Sequence, residues 1–414
     1  MDKISKKVKE QYTLYPYPYV PIGEMESLII PTASYTFVYY NCTRKYRKPE
    51  KIKILDAGCG TGFSTMKLAQ QNPGAEIIGI DISSKSLEIA SLRVKKISHL
   101  LDPNTKITLL KMDLLNLDSL KEKFDFIVST GVIHHLSDPQ KGLKNLVKKL
   151  KDDGIIHLLL YAKYPRHYIN LTQRAIKILQ LNQNDLQEGL KIGREFINFL
   201  PEDHPLKIDY KKHLEKFSEN ISIESSYSDS YFIDTYLNVN ETSYTIDEIF
   251  DLLERTNLKF CCFKDEFHWD ILKYFESNPL LLERVKKLSS KDKYKLIELL
   301  RQDQNHSFFA VKKNFKINKI EYTNIDILNK IPIYSPVLNK HKLNGILKIT
   351  NNTGIEVELD KIAQFIFELI DGKKKVDEIC LEFSNKFYLS IKDAQIQVIN
   401  LIKQWEYYYL ILYR

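Results

Sequence analysis

The sequence predicts an α/β protein: a doubly wound, Rossmann-like sheet, then a mostly helical middle region, then a small separate unit at the C-terminus. Three observations predict it. Short apolar runs alternate with helical stretches over residues 52–161, the pattern of parallel strands joined by crossover helices. A glycine-rich turn, Gly58-Cys59-Gly60-Thr61-Gly62, joins the first such run to the first helix. Beyond residue 166 the alternation gives way to helical periodicity and returns only in pieces.

At 414 residues with 43% hydrophobic content, the chain has material for two or three domains, each with a core. It contains no run of eighteen apolar residues, and its first residues lack the apolar centre of a signal peptide. The expectation is a cytoplasmic protein without membrane insertion. Cys42, Cys59, Cys261, Cys262 and Cys380 are odd in number and show no Cys-x-x-Cys spacing, which reads as reduced thiols with no metal site. The net charge of +8 is concentrated in residues 310–350, where eight lysines face two acids. Such a segment either attracts acidic proteins, nucleic acid or phosphates, or is a solvated connector.

Residues 1–50 read as an arm. Tyr12, Tyr15, Tyr17 and Tyr19 stand with Pro16 and Pro18 in one short stretch, which disfavours helix from Leu14 onward and holds the chain extended. Such a segment can lie across a pocket, where tyrosine faces suit a sulfonium or an ammonium, or it can pack on a sheet edge. The first strand follows, with Ile52, Ile54 and Leu55, then the glycine turn and a helix over residues 64–70. Glycines let the backbone approach a ligand closely, and the helix start presents free N–H groups. Asp56 sits two residues before the first glycine, a second strand over residues 76–80 ends on Asp81, and a third over residues 107–111 ends on Met112-Asp113. An acid at the tip of the second strand, about twenty residues past the glycines, is placed to accept both hydroxyls of a ribose, so the ligand contains a nucleoside.

Residues 84–98 are helical, and residues 124–129 form a fourth strand. Ligands of open α/β sheets bind beyond the carboxyl ends of the strands, which brings Ser129, Thr130, His134 and His135 to the reactive centre. The two histidines either supply a general base or shape the pocket. Residues 148–154 end a helix, with Gly154 as its stop, and residues 155–161 are a buried strand. Arg166 reads as a contact to an acceptor or as a surface salt-bridge residue. Residues 171–181 and 186–200 form amphipathic helices, and the acidic, Ser-rich residues 219–234 a loop. Thr245 and Glu248 make a capping box, residues 258–263 a strand, residues 280–300 a helix and residues 306–312 a closing strand. Residues 313–353 are taken as a basic linker. The last unit, residues 354–414, has a strand at 355–359, helices at 361–370, 376–383 and 391–405, and a terminal strand.

The motif Asp56-Ala-Gly58-Cys-Gly60-Thr-Gly62 resembles the Asp/Glu-x-Gly-x-Gly-x-Gly motif of class I S-adenosylmethionine-dependent methyltransferases. A nicotinamide fold would prefer Gly-x-Gly-x-x-Gly with an apolar residue ahead. The resemblance covers residues 52–161 and implies S-adenosylmethionine as cofactor, with the loop of Gly58, Cys59, Gly60 and Gly62 at its methionine part. By the same resemblance Asp81 holds the ribose and Asp113, with neighbouring backbone, reads the adenine amine. Asp56, Ile82, Met112, Leu114, Ser129 and Thr130 complete the implied set. The Gln11-Tyr12…Pro16-Tyr17-Pro18 run resembles a leader that covers the cofactor in a subset of these enzymes. That assigns Tyr12 to the cofactor and Tyr17, with His134 and His135, to catalysis. The family often continues with Arg-Trp, where this chain has Tyr19-Val20.

Residues 234–244, the helix after them and the closing strand resemble the middle region of rickettsial-type protein-lysine methyltransferases. Val357, Leu359, Ala363, Ile366, Leu369, Ile370, Asp371, Gly372, Val376, Glu378 and Ile379 meet the pattern of a PqqD-like winged helix. Such domains commonly receive an extended peptide along a strand edge. A helical cap or a homodimer surface is the alternative use. Together these resemblances imply methyl transfer to a protein or peptide side chain, lysine foremost. A small molecule or tRNA is the alternative acceptor, and nucleic acid stays open as a partner. A non-catalytic protein that binds S-adenosylmethionine or peptide is a third class, against which the intact Asp56, glycines and Asp81 argue.

Overall fold

The structure, a computed structural model, describes residues 1–23, 27–182, 184–218, 225–301, 305–316, 322–343, 346–351 and 355–414. Its central sheet has the order β3-β2-β1-β4-β5-β7-β6. The strands are β1 (Lys53–Ala57), β2 (Glu76–Asp81), β3 (Lys106–Lys111), β4 (Phe124–Thr130), β5 (Leu150–Leu160), β6 (Leu258–Phe263) and β7 (His306–Lys312). The first five are mutually parallel, and β7 runs antiparallel to both its neighbours. β4 and β7 are buried almost end to end because both faces are covered, which is why β7 shows only partial period-two alternation in the sequence.

Helices α1 (Lys3–Leu14), α2 (Tyr35–Thr43), α3 (Phe63–Gln71), α4 (Ser84–Ile97) and α5 (Pro139–Lys149) belong to this first half. The Asp2 carboxylate caps α1 by accepting from the N–H groups of Ile4 and Ser5, each at 2.9 Å. The helix stops at Leu14, where the Tyr-Pro run takes over with a cis Tyr17–Pro18 peptide. One boundary differs from expectation. α5 ends at Lys149, and Gly154 lies inside β5 rather than at a helix stop. A Cβ there would stand 2.7 Å from Leu150 Cδ1 and 3.0 Å from the Phe124 carbonyl, so this glycine serves a close strand approach.

The middle region contributes α6 (His167–Leu179), α7 (Leu186–Phe199), α8 (Pro205–Ser218) and α9 (Ser225–Tyr236). Ile169, Ile176, Ile197, Phe232, Ile233 and Tyr236 share one core. Of the expected loop over residues 219–234, residues 219–224 lie outside the described residues, and the rest is the helix α9. Its serines read as loop, but Phe232, Ile233 and Tyr236 bury one face, and packing overrides weak propensity. α10 (Ile246–Arg255) opens on the Thr245–Glu248 capping box. α11 (Ile271–Tyr274) follows, and the single helix expected at 280–300 is two, α12 (Pro279–Lys286) and α13 (Ser290–Arg301). Ser289 interrupts it by taking the Asp292 N–H at 3.1 Å, starting a new helix.

The remainder comprises α14 (Asn324–Leu328), β8 (Pro332–Tyr334), β9 (Asn339–Leu343), β10 (Ile346–Thr350), β11 (Glu356–Leu359), α15 (Lys361–Glu368), α16 (Val376–Phe387), α17 (Ile391–Tyr407) and β12 (Ile411–Tyr413). β11-β10-β9 is an antiparallel sheet, and β8 pairs with β12. The basic stretch is therefore not a plain linker: among its described residues it supplies α14, β8, β9 and β10. Residues 317–321, 344–345 and 352–354, including the expected start of the last unit, lie outside the described residues. Of the lysines in residues 310–350, Lys312 pairs with Asp152 at 2.8 Å, Lys348 with Glu358 at 2.6 Å, and Lys340 stands 3.5 Å above the Tyr334 ring.

The C-terminal unit shares its core with the sheet. One apolar cluster runs from Phe37, Ile54 and Phe309 to Ile366, Phe383, Trp405 and Leu412. Tyr409 Oη donates to Asn41 Oδ1 at 2.7 Å, and Glu406 accepts from Tyr40 Oη at 3.0 Å and Arg44 at 3.2 Å. Beside them the sulfurs of Cys42, Cys261 and Cys262 lie within 4.8 Å of one another, and burial pushes the Cys262 thiol far up. Among the described residues no helix is long and apolar enough to cross a membrane.

Candidate active site

Beyond the carboxyl ends of β1, β2 and β4 lies a cavity of about 540 Å3, within the range of small-molecule sites. Its floor is the glycine turn. Gly58 (φ +88°), Gly60 (φ +51°) and Gly62 (φ +81°) are left-handed, a conformation that favours glycine. A Cβ on Gly60 would overlap the Tyr17 carbonyl, and one on Gly58 would come within 2.6 Å of Val132. The Asp81 carboxylate accepts the Gly60 N–H at 2.9 Å and the Ser83 N–H at 2.8 Å. Burial nonetheless raises its pKa.

The arm closes the cavity from the other side. α1 is tied to α4 through Ser83 Oγ, which donates to the Tyr12 carbonyl at 3.1 Å. Thr61 Oγ1 donates to the Pro18 carbonyl at 2.5 Å. From α4, the buried Arg93 donates to the carbonyls of Thr61 (3.1 Å), Val20 and Pro21 (3.4 Å), joining loop and arm.

Of the residues expected from the sequence, Tyr12, Tyr17, Gly58, Cys59, Gly60, Asp81, Ile82, Met112, Asp113, Leu114, Thr130 and His135 all line this cavity. Asp113 Oδ1 accepts from the Leu115 N–H at 2.9 Å, which fixes the tip of the loop after β3. Asp56, Gly62, Ser129 and His134 stand behind the wall. Asp56 Oδ2 accepts from Thr65 Oγ1 at 2.6 Å, and burial lifts its carboxyl to about 7, so it braces the start of α3. Gly62 is the N-cap of α3, with no room for a Cβ against Ala90. Ser129 Oγ donates to the Ala57 carbonyl at 3.1 Å, between strands.

The two histidines part company. His134 is wholly buried and stacked on Tyr161 at 3.8 Å, its ring nitrogens have no hydrogen-bond partner among the described residues, and burial drives its pKa well down. His135 reaches the cavity, with Nδ1 2.9 Å from the Asn240 carbonyl. Since a carbonyl only accepts, Nδ1 carries the proton. Burial pushes its pKa down to about 4, against the Asn240 contact, so the ring is neutral near pH 7.

Part of the cavity was not foreseen. Asp234 and Tyr231 from α9 and Tyr161 also line it, beside Arg166, for which a place at the acceptor was one of two expected readings. Tyr12 Oη donates to Asp234 Oδ1 at 2.8 Å, and Tyr161 Oη stands 3.5 Å from Oδ2. Burial raises the Asp234 carboxyl to about 6. Arg166 is not on the surface: it makes a two-pronged pair with Glu241 at 2.6 and 2.5 Å, 3.8 Å above the Tyr161 ring. Burial opposes its charge, but Glu241 and Tyr161 outweigh it and raise its pKa. Tyr161 was legible as the residue at the end of a buried strand, whereas the carboxylates of α9 and the following turn carry no sequence signal.

A left-handed glycine cradle, an acid at the tip of β2, another past β3 and a cavity spanning both define a nucleoside-cofactor site on a doubly wound sheet with a reversed seventh strand. Residues 55–156 match a family model described as a methyltransferase domain, and residues 349–411 one described as coenzyme PQQ synthesis protein D (PqqD). An uncharacterized protein of Synechococcus sp. is 34% identical over 315 residues, which cover 74% of this chain and 72% of that one. A ubiquinone biosynthesis O-methyltransferase of Pelagibacter ubique is 32% identical over 152 residues, 36% of this chain and 60% of its own. Among solved structures, PKMT2 from Rickettsia typhi in complex with AdoHcy has a TM-score of 0.62 at 16% identity, covering 96% of this chain and 77% of that one. At that identity the likeness speaks for the fold. The chain belongs to the class I S-adenosylmethionine-dependent methyltransferases and carries a C-terminal PqqD-like domain.

Proposed function

We propose that the enzyme methylates an amine on a protein or peptide side chain, a lysine foremost. The observation that carries this reading is the acceptor half of the cavity, lined by Tyr12, Tyr17, Tyr161 and Tyr231. Aromatic faces favour an ammonium group and the apolar stem that bears it. The PqqD-like domain, of a kind that commonly receives peptides, supports a peptide acceptor rather than a free small molecule.

S-adenosylmethionine, when bound, would supply a sulfonium methyl carbon as the electrophile. This chain's residues hold and enclose it. The Gly58–Cys59–Gly60 backbone would take the methionine part, because this loop lines the cavity. Asp81 has lone pairs beyond those used by Gly60 and Ser83, which suit ribose hydroxyls, and Asp113 suits the adenine amine. Tyr12, Tyr17 and Pro18 close over the site, align the acceptor and exclude water. His135, neutral at working pH, shapes the wall, and His134 supports Tyr161 from behind.

The test is an extract from cells lacking this enzyme, incubated with it and methyl-labelled donor, then separated into protein, RNA and small solutes. Label in protein is expected. Label confined to RNA or to small solutes, the acceptors of other methyltransferases of this fold, would overturn the reading.

A further inference from the structure

Among the described residues, the buried wall of the cavity sets one guanidinium, Arg166, against two carboxylates, Glu241 and Asp234. Arg166 and Glu241 form a closed pair, each committed to the other through two hydrogen bonds. Among the described residues the hydrogen-bond donors to Asp234 are phenols, Tyr12 at 2.8 Å and Tyr161 at 3.5 Å, and its side chain is buried and borders the cavity. The groups around it come from three segments: Tyr12 and Tyr17 from the arm, Tyr161 and Arg166 after β5, and Tyr231 from α9 itself. His135 and His213 stand in the same cavity wall. Phenols this deeply buried stay protonated, because burial raises every one of those named. Arg166 favours the Asp234 carboxylate through space but is hydrogen-bonded to Glu241, and a buried carboxylate that shares its counter-ion is costly unless a second cation arrives to pair with it.

We propose that Asp234 is the anionic anchor of the acceptor subsite: it binds the acceptor nitrogen as an ammonium ion and takes up the proton that must leave before methylation. This rests on the amine reading above and names the residue that would select for it. The proton passes from the acceptor nitrogen to an Asp234 carboxylate oxygen and from there to water. The nitrogen keeps the lone pair that forms the new bond. Tyr12 and Tyr161 aim the carboxylate, and the tyrosine faces hold the carbon stem below the charged end.

The sign of the pH effect follows. Burial lifts this carboxyl to about 6, so the anchor is charged above that value and lost as the pH falls through it. An amine also becomes a better nucleophile as pH rises, but over a higher range.

The experiment measures binding without turnover. Wild type, Asp234→Asn and Asp234→Glu, each saturated with S-adenosylhomocysteine, are titrated calorimetrically with N-acetyl-lysine methylamide and with its uncharged norleucine counterpart, near pH 8 and near pH 5. Wild type should prefer the lysine compound near pH 8 and lose at least about tenfold of that preference near pH 5. Asp234→Asn should lose it at both, and Asp234→Glu should recover part of it. S-adenosylhomocysteine affinity reports that each variant is folded. Equal binding of the lysine compound by wild type and a folded Asp234→Asn overturns the proposal. If Asp234→Asn does not fold, the test falls to a carboxyl carbon-13 titration of labelled wild type with and without the lysine compound. A buried carboxyl titrating near 6 that moves down on binding supports the anchor, and no movement overturns it. Cation preference without labelled protein in extracts would leave the anchor standing and remove only the macromolecular acceptor.

Discussion

At the scale of single residues, the glycine cradle is the most exposed to test. Gly60 holds φ +51° with its α-carbon against the Tyr17 carbonyl, so Gly60→Ala both strains the backbone and pushes the arm outward. The conformational part alone costs about 1–2 kcal/mol, and S-adenosylmethionine affinity by calorimetry should fall at least about tenfold. Asp81→Ala should do the same by leaving the Gly60 and Ser83 N–H groups without their acceptor. His134→Ala should behave otherwise, losing about 2–4 kcal/mol of stability in denaturant titration because it empties a packed stack on Tyr161, while the acidic limb of the pH–rate profile stays in place. These residues divide by how legible they were. Gly58, Gly60 and Asp81 announce themselves because turn geometry and strand position dictate residue type. Ser129 and His134 look the same in the sequence whether they face the ligand or the strand behind it.

At the scale of elements, the acceptor side is built by segments whose sequence says little. The Arg166–Glu241 pair joins the exit of β5 to the turn after α9. Glu241→Gln leaves a buried guanidinium unpaired and should cost about 3–5 kcal/mol, read as a lower urea midpoint. Strands β1 and β4 and the second half of β5 were legible because a parallel sheet buries each as a nearly continuous apolar run. α9 was not, since its serines mimic a loop and its helical face appears only when Phe232, Ile233 and Tyr236 meet α6 and α7. The break at Ser289 and the strand that absorbs Gly154 were hidden for a related reason: a serine cap and a strand crossing each need a partner to be recognised.

At the scale of the molecule, the C-terminal unit is part of the scaffold rather than a tethered module. Trp405, Leu410 and Leu412 share the core of Phe37 and Phe309, and none of the described residues lining the cavity lies beyond Asn305. Removing residues 355–414 should therefore abolish cooperative thermal unfolding of the whole chain, not simply weaken one acceptor class. A peptide held by this unit would have to run along the outside of the protein to bring its side chain to the tyrosine-lined mouth. A lysine-rich composition concealed this arrangement, because the lysines of β7 and β10 find partners, Asp152 for Lys312 and Glu358 for Lys348, that lie elsewhere in the chain.

The most direct measurement is tandem mass spectrometry of the methylated product, locating the atom that receives the label. A methyl group on a side-chain amine, lysine Nζ foremost, is expected from wild type and should be strongly diminished with Asp234→Asn. A methyl group on an oxygen, or on a nucleobase, formed equally well by Asp234→Asn, would contradict that expectation.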